Sequence, residues 1–432
     1  MKHKLYVLMV ALAAASLFLS ACGGATVAAS SLPRNTNPQA SVSDIQELTA
    51  GNTAFAFDLY QQMRRGDNPN LVYSPYSISL AFAMTYAGAR GETATQMAQA
   101  MHYTLAPERL HPAFNALSLD LDQRSLEVEG VEEADRFQLS LANSLWGQKN
   151  WSFLPDYLDL LATHYGAGMR LVDFESAPEA ARRQINDWVS DQTQKRIRNM
   201  IPPGMIDPLT RFVLVNAIYF KATWQFEFDP DKTADRPFYL LNGQTVNVPM
   251  MSVDQATPFS YAAGEGWQAV ALPYKGGLVE MIVIVPDQGT FEAFEAEWTA
   301  ERYNQIVSAL QPQMVRLSMP KFKFDNDHNL VALLTTLGMH DAFDPNRADF
   351  SGIDGKRDLY ITTALHKAFI ATDEKGTEAA AATSIIIGVT SMPIDEGILL
   401  TIDRPFFYVI RDVPTGTILF MGRVLDPTHG TD

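Results

Sequence analysis

The chain has little of what usually ties a secreted fold together, for Cys22 is the only cysteine in 432 residues and no intrachain disulfide can form. Positive charge is also short. Against 49 Asp and Glu stand 33 Lys and Arg, a net charge of −16, or −18 once Lys2 and Lys4 leave with a leader. That balance disfavours nucleic acid or an anionic membrane surface as a partner. Beyond residues 5–19 no apolar run has the length of a membrane-spanning helix. No Gly-x-Ser-x-Gly elbow surrounds any serine and no His-Glu-x-x-His run occurs, so the commonest sequence grounds for a hydrolase or a zinc enzyme are missing. No metal or cofactor is expected, and no internal repeat is visible.

At the N-terminus stand Lys2 and Lys4, the apolar stretch 5–19 and the small residues Ser20 and Ala21, in the order of a secretory signal. Leu19-Ser20-Ala21-Cys22 resembles a bacterial lipoprotein cleavage box. The resemblance implies a signal over 1–21, lipidation of Cys22 with more than one acyl group, export across the cytoplasmic membrane and an anchor at the cell surface or envelope. A lone cysteine is otherwise a small buried hydrophobe. Residues 22–43, rich in Ala, Ser, Thr, Asn and Pro and without apolar periodicity, read as a flexible tether. The body, 44–427, contains no linker-like break and reads as one large domain, with 428–432 as a tail.

Apolar spacing predicts helices over 53–65, 77–89, 92–101, 180–198, 291–310 and 328–337. Strands are expected over 136–146, 212–220, 267–272, 278–285, 314–324, 359–372, 405–411 and 417–424. Runs of helices beside runs of strands, without strict alternation, indicate an α+β fold with antiparallel or mixed sheets.

The stretch 374–404 fits neither pattern. It opens Glu374-Lys375-Gly376-Thr377-Glu378-Ala379-Ala380-Ala381-Ala382-Thr383-Ser384 and continues through three isoleucines. Were it extended, Thr377, Ala379, Ala381 and Thr383 would share one face, all small and uncharged, with Glu378 on the other. Alanine favours helix, so a short surface helix is the alternative; Gly376 before the alanines and β-branched residues after them favour a loop able to become a strand.

This stretch resembles the hinge and reactive loop of a serpin. The resemblance extends over nearly the whole body: 68–78 with Gly88-Ala89-Arg90-Gly91-Glu92-Thr93, 214–224, 337–353, His366-Lys367-Ala368 and 417–424. It implies a serpin-like fold, helices packed on three sheets with an exposed reactive loop over 374–404. It also implies a monomer that is not an enzyme but a covalent suicide inhibitor of secreted serine endopeptidases, whose cleaved hinge inserts into the main sheet as a new strand. From Gly376 to Thr390 are 15 residues, roughly 50 Å when extended, which is reach enough.

By the family's spacing the reactive bond joins Thr390 to Ser391, with Met392 as an alternative site. A small β-branched residue there suits elastase-like or subtilisin-like pockets. The hinge maps to Glu374, Gly376, Thr377, Glu378, Ala379, Ala380, Ala381, Ala382 and Thr383. Ser74, Ser77, Asn216, His366 and Trp224 map to a structural gate that must part for insertion, Trp224 near the point where the loop enters. A non-inhibitory surface-binding protein and an inhibitor of cysteine proteases stay open as alternatives.

Overall fold

The computed structural model describes residues 25–66, 69–124, 131–378 and 397–430. The described chain opens with β1 (Thr26–Ala28), α1 (Val42–Met63), β2 (Leu71–Tyr73), α2 (Pro75–Tyr86), α3 (Gly91–Ala100) and α4 (Pro107–Arg124). Next come β3 (Gln138–Gln148), α5 (Pro155–Tyr165), β4 (Met169–Val172), α6 (Pro178–Gln192), β5 (Phe212–Thr223), β6 (Ala234–Tyr239), β7 (Thr245–Gly264), β8 (Trp267–Pro273) and β9 (Val279–Pro286). The last third holds α7 (Phe291–Ala296), α8 (Ala300–Ala309), β10 (Gln311–Pro320), β11 (Phe322–Asn329), α9 (Leu330–Thr336), α10 (Ser351–Asp354), β12 (Thr363–Thr372), β13 (Gly376–Thr377), β14 (Ile398–Thr401), β15 (Phe406–Asp412) and β16 (Ile418–Val424).

By pairing, the strands form a seven-stranded sheet in the order β1-β4-β3-β5-β13-β12-β11 and a nine-stranded one in the order β14-β10-β7-β8-β9-β15-β16-β2, with β6 paired to β7. The three expected sheets appear as two by pairing, because the 20-residue β7 pairs with β10, β6 and β8 and so joins their strands into one sheet.

The seven-stranded sheet is covered on both faces, which is why β5 is buried almost throughout. On one side lies α2, capped by the Ser74 hydroxyl, which accepts from the Ser77 amide (3.2 Å), and led in by Pro75. Nearly every α2 side chain is buried, so this helix has no polar stripe to show water. On the other side α6 lays Ala181, Ile185 and Val189 over Trp146, Val213, Val215 and Ala217.

Several expectations need correction. The tether of 22–43 is, from Ala25 onward, part of the body. Thr26, Val27 and Ala28 pair with Leu171, Arg170 and Met169, and Arg34 Nε donates to Asn115 Oδ1 (2.8 Å). Backbone pairing to an edge strand needs no apolar periodicity, so composition could not reveal it. The start of α1 is Val42, fixed by a capping box between Ser41 and Asp44, rather than residue 53. The single strand 314–324 is two strands in different sheets. The Lys321 amide still reaches Pro249 O (3.0 Å) as the last rung beside β7, and from Phe322 the chain pairs with β12 in the other sheet. Helix 291–310 is likewise two helices. The expected tail is docked as far as Gly430: Asn70 Nδ2 donates to the carbonyls of Asp426 and His429, both at 2.8 Å.

Candidate functional site: a gap in the seven-stranded sheet

β5 and β12 run parallel and pair directly from Val213 and Thr363 to Ile218 and Ala368. Beyond that point they diverge, and the two residues of β13 stand between them: Thr377 opposite Thr372 on one side, Gly376 and Thr377 opposite Thr223 and Ala222 on the other, all antiparallel. Gly376 and Thr377 thus fill the mouth of the gap.

The reversal into β13 is a tight turn in which the Asp373 carboxylate accepts from the amides of Lys375 (2.9 Å) and Gly376 (3.2 Å). Burial raises the Asp373 carboxyl, and those amides pull it the other way. Gly376 has no room for a side chain, since a Cβ would lie 2.1 Å from the Ala222 carbonyl oxygen. Thr377 is 1% exposed and its hydroxyl lies 2.6 Å from the Tyr274 hydroxyl. Tyr274 in turn stacks on Trp224 at 4.5 Å and 9°. Trp224 donates from its indole to Asp373 O (3.0 Å) and from its backbone to Lys375 O (2.8 Å). Trp224 therefore packs against the turn at 373–377, near the point where the sequence expected the loop to enter.

Glu374 takes Lys321 Nζ at 2.5 Å and the Thr233 hydroxyl at 2.7 Å. Burial works to raise its carboxyl, but these two contacts outweigh that and leave it below the usual range. Glu374→Lys would set two ammonium groups together in a half-buried site. The expected outcome is a melting midpoint several degrees lower and a red-shifted tryptophan emission that disappears when Trp224 is also changed to Phe. An unaltered midpoint and spectrum would remove the ion pair from the account.

Glu378 ends the described hinge with φ +47°, its amide donating to Ala371 O (2.6 Å) and its carboxylate paired with Arg196. Burial pushes this carboxyl up to about 7, against the pull of Arg196, Lys221 and Lys323. Ala379, Ala380, Ala381, Ala382 and Thr383, the bond residues Thr390, Ser391 and Met392, and Cys22 lie outside the described residues.

Below the hinge a row of polar side chains crosses the sheet. Asn143 on β3 stands opposite Asn216 on β5, Asn216 opposite His366 on β12, and His366 opposite His328 on β11. Ser74 and Ser77, at the start of α2, close the row from beneath. Asn216 Nδ2 lies 2.7 Å from both the Ser77 carbonyl and hydroxyl oxygens and against Asn143 Oδ1, its two hydrogens shared among the three acceptors. The Ser74 amide donates to His366 Nε2 (3.1 Å), so the ring proton sits on Nδ1 and is given to Asn216 Oδ1. One neutral tautomer satisfies both bonds. Ser74, Ser77, Asn216 and His366 are thereby brought together across the pair of strands that would have to part.

Burial, then the charge of a protonated His328, hold His366 well below the usual imidazole value; burial holds His328 down to about 4 and His111 to about 3. Below about pH 6.5 the unfolded chain takes up protons that the folded chain refuses, so stability is complete above that pH and declines as pH falls, by up to about 1.4 kcal/mol per unit per histidine. Glu378 acts in the opposite sense, binding its proton more tightly when folded, and cancels roughly one of the three. The melting midpoint is expected to drop between pH 7 and 5 and to drop less in His328→Gln; a flat profile would contradict the buried neutral row.

Sequence reading missed Asn143, Tyr274, Lys321, Arg196 and His328. Asn143 left a signal, a polar residue in line with Leu139, Leu141 and Leu145 on the apolar face of its strand. Tyr274 and Lys321 left none, because only the chain path brings them to the hinge.

A family model described as Serpin (serine protease inhibitor) matches residues 50–427. Leukocyte elastase inhibitor A of Mus musculus is 36% identical over 391 residues, covering 89% of this chain and all of that protein. An uncharacterized serpin-like protein of Thermococcus kodakarensis is 38% identical over 378 residues, covering 87% of this chain and 85% of its own length. Among solved structures, the thermophilic serpin Tengpin in its native state superposes with a TM-score of 0.80 at 28% identity, covering 93% of this chain and all of that one.

Proposed function

The chain belongs to the serpin family, a family described as serine protease inhibitors and not enzymes, and from that premise we propose that it traps secreted serine endopeptidases covalently. One observation carries the reading: β13 already lies between β5 and β12, in register with both, and the sequence that follows it is small and uncharged on one face. The serine hydroxyl of the protease attacks the Thr390 carbonyl; the bond to the Ser391 nitrogen breaks, that nitrogen leaves with the proton, and an ester remains. The freed arm continues down the gap, the gate row parts, and the attached protease is carried to the far end of the sheet before water can cleave the ester.

Thr390 offers no cation to a trypsin-like pocket, and relatives named for inhibiting leukocyte elastase support an elastase-like or subtilisin-like target. The test mixes residues 25–432 with an elastase-like and a subtilisin-like protease, followed by a denaturing gel and mass analysis of released peptide. A resistant band near the summed mass, with a peptide beginning at Ser391, is expected. Loop cleavage with a fully active protease and no such band would favour a non-inhibitory role.

The reading extends to location: export and a lipid anchor on Cys22. With Thr26 already in the sheet, such an anchor would hold the body close against the membrane. Cys22→Ala is expected to move the protein from the membrane to the soluble fraction of cells, and unchanged fractionation would dismiss the anchor.

A further inference from the structure

A cleft of about 600 Å³ opens beside β3, with Val27 and Leu32 on one wall and Ala167 and Arg170 on another. It exists because β4 pairs only with Leu145–Gln148 at the far end of β3, while the preceding half of that strand has no neighbour on this side among the described residues. Its floor is Leu141, Asn143 and Leu145. The volume and the mixture of apolar walls with a few polar groups are those of a small-molecule site.

At one end Arg170 lies with its guanidinium 4.5 Å from the Trp188 ring and 5.6 Å from that of Trp146, the two indoles meeting edge-on at 5.8 Å. Aromatic rings lie against the guanidinium, and among the described residues no side-chain hydrogen bond or ion pair is made to it. Its N–H edge is therefore available to a ligand entering the cleft. Burial without an anion also draws the Arg170 pKa down. Arg34, which also lines the cleft, is already engaged by Asn115 and Asp122. A guanidinium stacked on aromatic planes keeps its N–H edge free, and that edge matches a carboxylate through two parallel bonds.

We propose that this cleft binds a small amphipathic carboxylate, its head on Arg170 and its alkyl or aryl body along Leu141, Leu145 and Leu32. The ligand would lie against Asn143, one member of the gate row, so its site borders the part of the sheet that must move.

The probe is decanoate, kept below its micelle concentration and titrated into residues 25–432, with binding read by tryptophan emission and by calorimetry; decanol and acetate serve as headless and tailless comparisons. Saturable one-site binding of decanoate is expected. Arg170→Gln should weaken it about tenfold or more, as loss of charge-assisted bonds implies, and leave decanol nearly unaffected. Leu32→Glu, on the opposite wall, should weaken both. Melting curves show whether each variant is folded. Absence of saturable binding, or equal decanoate affinity in Arg170→Gln, overturns the site, and acetate competing as well as decanoate overturns the amphipathic ligand.

Discussion

Thr377→Arg is expected to turn the protein from an inhibitor into a substrate. Thr377 is the last β13 residue, 1% exposed, with its hydroxyl on Tyr274 and its backbone paired to Ala222 and Thr372. Insertion must pass this residue first and keep it buried afterwards. An arginine there would bring an unpaired cation against the Trp224–Tyr274 stack, at a cost of about 3 kcal/mol or more. A barrier raised by that much slows insertion on the order of a hundredfold. Hydrolysis of the ester then wins. The measurement is the fraction of protease trapped in a denaturant-resistant band per loop cleaved: near zero for Thr377→Arg, and near wild type for Thr377→Ser, which keeps the hydroxyl. The uncleaved arginine variant should still melt cooperatively, because only the two residues of β13 need withdraw from the gap to release the new side chain. Trapping undiminished by Thr377→Arg would sink the insertion mechanism.

What the sequence made legible follows from how locally each feature is encoded. The small-residue face from Thr377 onward is a property of consecutive residues, and the structure begins a strand where parity allowed one. Asn216 and His366 were readable as polar residues inside strand-forming runs, and they do face each other. What held Glu374 was not readable. Lys321 lies 53 positions away and reaches it only because the chain changes sheets after Pro320. The same limit applies to the N-terminus, where three residues join β4 through backbone bonds that any non-proline sequence can make. Composition reports how a segment treats water, and a strand added at an edge asks little of it.

Thr383→Val is the second large effect, and it comes from register. Thr377 stands opposite Ala222 and Thr372; six residues further along the same antiparallel ladder, Thr383 would arrive opposite Asn216 and His366, which now face each other, and on the same core side as Thr377. Parting β5 from β12 takes the Asn216 oxygen away from the His366 Nδ1 proton. Both groups are buried, and either left without a partner costs about 1–3 kcal/mol. A threonine hydroxyl both donates and accepts, so it can bridge them in the opened row. Valine has the same shape and can do neither. The expected result is a trapped fraction reduced about tenfold relative to cleavage, a cleaved form of lower melting midpoint than the wild-type cleaved form, and an uncleaved protein that melts as before. Thr383→Ser should restore trapping. If Thr383→Val instead traps as well as wild type, the polar row must find its new partners among Ser74, Ser77 and Asn143 alone, and the gate would be complete without the loop.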